Sequence, residues 1–147
     1  MINSRLKLEK KLKDRTLESY NAILSEVSSS EIQYIDTKFK RVYARLTSRR
    51  GEWQESLAFY ARAMLKEVDL LSRGEFTIEG RHVIASIFYL CKPDDVIPDH
   101  TPGIGYLDDA FVINTALANI KKNNKSLYHQ IIARVEKYKD GYYTDLE

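Results

Sequence analysis

All three prolines of the chain, Pro93, Pro98 and Pro102, fall within ten residues, and this clustering limits the fold more than any other feature. Proline has no amide hydrogen and its ring collides with the preceding turn, so it ends or kinks a helix wherever it is inserted. The long stretches on either side of Pro93–Pro102 carry no such stop. A sandwich or barrel would need turn residues throughout its length. The predicted class is therefore all-α, a compact helical bundle of about six helices with a rigid Pro/Asp loop between helices 4 and 5. At 147 residues the chain is long enough to bury one sizeable core, and residues 1–147 are read as a single helical domain.

Apolar periodicity places the helices. Leu12, Thr16, Tyr20, Ile23, Leu24 and Val27 recur at helical spacing and predict a first helix from about Leu6 to Val27, free to project from the domain. Ser28 followed three residues later by Glu31 has the form of a capping box. The second helix then carries Ile32, Ile35, Phe39, Val42 and Leu46 in alternating steps of three and four, a narrow seam of the coiled-coil kind. Gly51 interrupts it. Trp53, Leu57, Tyr60, Ala61, Met64, Val68 and Leu71 share one face of a third helix that ends near Gly74. Thr77 caps a fourth helix running through Cys91, apolar on nearly every side and so destined for the centre. A fifth carries Leu107, Ala110, Phe111, Val112, Ile113, Leu117 and Ile120 and ends at Asn123-Asn124. A sixth carries Leu127, Ile131, Val135 and Tyr138 before a polar tail, 140–147.

Composition narrows the setting. A single cysteine, Cys91, permits no intrachain disulfide, so nothing points to an oxidising compartment. The longest apolar run, Val83 to Cys91, covers nine residues, against the roughly 20 that a membrane span requires. The basic N-terminus lacks the apolar stretch of a signal peptide, so no membrane span and a cytoplasmic location are expected. The net charge of +2 hides an asymmetry: residues 1–50 hold 12 Lys/Arg against 6 Asp/Glu, and residues 51–147 hold 11 against 15. Two such halves attract each other, or the first half meets an anionic partner.

The loop itself reads Pro93-Asp-Asp-Val-Ile-Pro-Asp-His-Thr-Pro-Gly-Ile-Gly-Tyr-Leu-Asp-Asp109. Three fixed φ angles make it stiff, and Gly103 and Gly105 open backbone conformations closed to other residues. Asp95 and Asp99 are placed to cap short helical turns, while Asp108 and Asp109 fall in the first turn of the fifth helix, where the macrodipole favours negative charge.

This stretch resembles the YkvA-like family, a domain of unknown function. Its hallmark is an apolar helix ending in tyrosine, then P-x-D-x-I-P-D-x-x-P-x-x-G-Y-x-D-D, then a second apolar helix. The matching residues are Tyr89, Pro93, Asp95, Ile97, Pro98, Asp99, Pro102, Gly105, Tyr106, Asp108 and Asp109. The resemblance implies a helical hairpin over residues 81–120 and brings no established activity. His100 departs from it, since the family more often has an apolar residue there.

Three functions compete on this pattern. The first is a non-enzymatic helical interaction module that binds a protein partner or self-associates through the seam of the second helix, with no catalytic residue and no cofactor. The second is a divalent-cation site at Asp95, Asp99, Asp108 and Asp109, whose carboxylates suit Mg²⁺, Mn²⁺ or Ca²⁺ and would allow hydrolytic chemistry. None of their spacings is a known metal signature, and capping accounts for the same residues. The third is nucleic-acid binding through Lys38, Arg41, Arg45 and Arg49, which share one arc of the second helix beside the seam. Cys91, His82, His100 and His129 have no evident partners in sequence and read as structural or exposed.

Overall fold

Six helices are present in a computed structural model, which describes residue 2 and residues 7–71, 77–92 and 105–141. They are α1 (Lys10–Ser25), α2 (Ser29–Thr47), α3 (Trp53–Leu71), α4 (Ile78–Cys91), α5 (Leu107–Asn123) and α6 (Lys125–Lys139). No strand occurs among the described residues, and the helices pack as a compact bundle.

Local chemistry explains most of the boundaries. At the start of α2 the capping box is complete: the Glu31 carboxylate accepts from the Ser28 amide at 2.9 Å, and the Ser28 side chain caps the backbone of the first turn. Thr77 Oγ1 accepts from the Gly80 amide at 3.0 Å and opens α4. Asn124 serves two helices at once. Its amide closes α5 on the Ile120 carbonyl at 2.7 Å, and its side chain accepts from the Leu127 amide at 3.1 Å to start α6. Gly51 turns the chain between α2 and α3 with φ of +78°, a value that strains any residue with a Cβ.

Helix α4 is the axis of the bundle. Val83, Ile84, Ala85, Ile87 and Leu90 are all buried, and α1, α2, α3 and α5 each pack against it. This is the arrangement a helix apolar on every side demands. The seam of α2 is used inside the same bundle, with Ile35, Val42 and Leu46 buried and Ile32 and Phe39 partly so. Helix α3 is enclosed more fully than a single apolar face suggests, because α2, α4, α5 and α6 all contact it. Ala58, Ala61 and Ala63 are fully buried, their small side chains letting the neighbours come close.

Two expectations change. Helix α1 begins at Lys10 rather than near Leu6, and it does not project: it lies along α4 and α5 with Thr16 and Tyr20 buried. Ile2 is held down as well. Asn114 on α5 accepts from the Ile2 amide through Oδ1 and donates to the Ile2 carbonyl through Nδ2, both at 3.0 Å, as a neighbouring strand would. Gly74, and the polar tail beyond Gly141, lie outside the described residues. No described helix is long and apolar enough to cross a membrane.

Candidate functional site

The residues singled out in the loop divide into two groups. Pro93, Asp95, Ile97, Pro98, Asp99, His100 and Pro102 lie outside the described residues, whereas Tyr89, Gly105, Tyr106, Asp108 and Asp109 lie within them. Tyr89, in the last turn of α4, donates its phenolic hydrogen to Asp108 Oδ2 at 2.7 Å, in the first turn of α5. Asp108 and Asp109 have no solvent exposure at all. Buried carboxylates are tolerated only where donors surround them, and the amino end of α5 supplies a favourable dipole in addition to Tyr89. Two hallmark residues thus fasten the hairpin to itself from inside.

Tyr106 stands immediately before α5 with φ of +71°, the left-handed region, which is uncommon for an aromatic residue. Its ring is buried, and its hydroxyl accepts from Arg45 Nη1 at 3.1 Å. That bond ties α2 to the hairpin. Among the described residues, no three His, Cys, Asp or Glu side chains gather in a way that could hold a metal ion.

The basic stripe of α2 is partly engaged. Arg45 is bonded to Tyr106, and Arg49 sits 3.8 Å from Glu52 in an exposed pair worth little in water. Arg41 is exposed and Lys38 half-buried. Of these two partners from residues 51–147 only Glu52 carries a charge.

Helix α1 is latched to α4 by a contact no local pattern announces. The Tyr20 hydroxyl lies 2.6 Å from His82 Nδ1, and Arg81 Nη2 donates to the Leu24 carbonyl at 2.9 Å one turn away. Burial lowers the His82 pKa from its ordinary 6.5, against an upward pull from Glu79, and burial pushes the Tyr20 phenol up. A histidine depressed in the folded state takes up its proton more readily when unfolded, so acid favours unfolding. Stability is complete above the ordinary histidine value and falls as pH drops from there towards the lower folded value. Urea midpoints measured from about pH 7 downward should show this loss, and His82→Gln should flatten that part of the profile. An unchanged profile in the variant would assign the acid sensitivity elsewhere.

The surface feature that sequence reasoning missed lies between α2 and α3. A groove of about 270 Å³ is lined by Ile35, Asp36, Phe39, Lys40 and Tyr43 from α2 and by Arg62 and Leu65 from α3. Arg62 is almost wholly buried, yet it sits in the apolar run Tyr60-Ala-Arg-Ala-Met64. Its guanidinium stacks on the rings of Tyr43 and Tyr138, 5.3 and 4.7 Å from their centroids, and donates to the Tyr43 hydroxyl at 3.1 Å. Such stacking holds a cation rigidly at the floor of the groove. One charged residue inside an apolar helical run was the available signal, and it could not reveal its two tyrosines from other helices.

Comparison with known families agrees with the hairpin. Residues 82–114 match the model of a protein family of unknown function, DUF1232, to which YkvA-like domains belong. No curated protein and no solved structure matches the chain.

Proposed function

Taking residues 82–114 as a hairpin fastened from within, we propose that the chain is a non-enzymatic helical interaction module whose α2–α3 groove receives a protein segment. The observation that carries this reading is the groove: two partly exposed aromatic rings, Phe39 and Tyr43, beside Ile35 and Leu65, rimmed by Asp36 and Lys40. Apolar walls with a charged rim, over the Arg62 cation at the floor, let a groove accept the apolar face of a helix, and aromatic residues concentrate the binding energy of such sites. The hallmark residues support the same reading from the other side. Tyr89 and Asp108 are bonded to each other in the interior, which suits a structural part rather than a reacting one.

A photo-crosslinking amino acid at Phe39 tests the reading in cells of the native host. Irradiation should trap a polypeptide there, and the same probe at exposed Gln130 on α6 should not. Absence of any adduct at Phe39 and at Leu65 would overturn the groove as a binding surface.

A further inference from the structure

We propose that the occupant of the groove is a second copy of this chain, related by a two-fold axis crossing α2 between Asp36 and Lys40. This rests on the reading of the groove as a protein-binding surface. The argument is one of charge. Asp36 and Lys40 are both exposed and lie four residues apart, one helical turn, on the rim of the groove. Neither makes an ion pair with another described residue. A rim of one sign would select a partner of the opposite sign. A rim with one charge of each sign, one turn apart, is complementary to itself when the helix is reversed, because an isologous interface places residue i against j and j against i. Two α2 helices crossing in opposite directions bring Asp36 of each copy to Lys40 of the other, with Phe39 from both near the axis.

The chemistry of the groove agrees with this arrangement. Phe39, Tyr43 and Leu65 would supply its apolar centre, and the Asp36–Lys40 pairs would fix direction and register at its rim. The seam of Ile35, Val42 and Leu46 is not the contact, since those side chains are buried against the protein's own core.

Sedimentation velocity on the full chain, from low to high micromolar concentration, provides the test. The wild type should pass from monomer to dimer. Asp36→Lys and Lys40→Asp each set like charges face to face and should weaken the dimer about tenfold or more. The double exchange, Asp36→Lys with Lys40→Asp, should restore it. All three changes are at exposed positions, and circular dichroism checks that the helices persist. A wild type that stays monomeric, or a double exchange as weak as the single ones, overturns the proposal. The Phe39 photo-adduct separates this failure from that of the groove itself. An adduct of twice the 17.1 kDa chain supports the second copy. An adduct with a different polypeptide overturns the second copy while leaving the groove a binding surface, and no adduct at either Phe39 or Leu65 removes both.

Discussion

Arg134→Ala will cost about 3–5 kcal/mol of stability, the largest loss expected from a single polar side chain in this protein. Arg134 on α6 donates from Nε to Glu67 Oε1 on α3 at 3.0 Å, and the Glu67 side chain is only 4% exposed against 24% for Arg134. The asymmetry in burial decides the outcome. Removing the arginine leaves a carboxylate in the protein interior without its cation, and the desolvation already suffered by Glu67 is no longer offset. A domain of this size commonly has 5–15 kcal/mol in total, so the loss is a large share. Urea unfolding followed by circular dichroism should show a lower midpoint with an unchanged slope. The paired replacement Arg134→Met with Glu67→Met removes both charges and keeps apolar volume, and it should recover most of the stability. If Arg134→Ala falls within about 0.5 kcal/mol of wild type, the bridge is a surface pair in its energetics despite its geometry.

Why this bridge was invisible in the sequence, while the helices were not, follows from the range of the interactions concerned. Ser28 and Glu31 are three residues apart, and Thr77 caps an amide three residues on. Signals of that reach are written in consecutive residues, as is the apolar run of α4 that forces it to the centre. Glu67 and Arg134 are separated by 67 positions, and Tyr20 and His82 by 62. Each of those residues looks, in its own neighbourhood, like one more polar position on an amphipathic helix. The α1 helix illustrates the consequence: its periodicity was plain, but its docking depends on Tyr20 meeting a histidine from another part of the chain. The α2 seam shows the converse. A regular apolar stripe records that a helix packs, and whether its partner is another chain or its own α3 and α4 is settled only by the surrounding helices.

The hallmark acids were legible as residues of the first turn of α5, where the dipole favours them, but their complete burial was not. That burial sets the second large expectation: Tyr89→Phe should cost about 2 kcal/mol, although it removes a single oxygen atom from a side chain that keeps its ring. The hydroxyl lies 2.7 Å from Asp108 Oδ2 with neither residue appreciably exposed, so no water is at hand to replace the lost donor. Hydrogen bonds to a carboxylate are worth about 1.5–3 kcal/mol, roughly twice a neutral pair. Asp108→Asn keeps an acceptor for the Tyr89 hydroxyl but a neutral one, giving up about half of that bond as well as the dipole attraction, and should cost about 1–2 kcal/mol, no more than Tyr89→Phe. Asp108→Ala removes the acceptor itself and should cost at least as much as Tyr89→Phe, since the phenol is then the buried group left without this partner. Once either partner is gone the other has less left to lose, so Tyr89→Phe combined with Asp108→Ala should cost less than the two single losses added together, by about 1 kcal/mol or more. Full additivity in urea unfolding would mean that the two hallmark residues stabilise the hairpin separately. A shortfall in the double variant would mean that the bond between them is what the hallmark encodes, a clasp from the last turn of α4 to the first turn of α5 that holds the hairpin closed beneath the face α2 and α3 present.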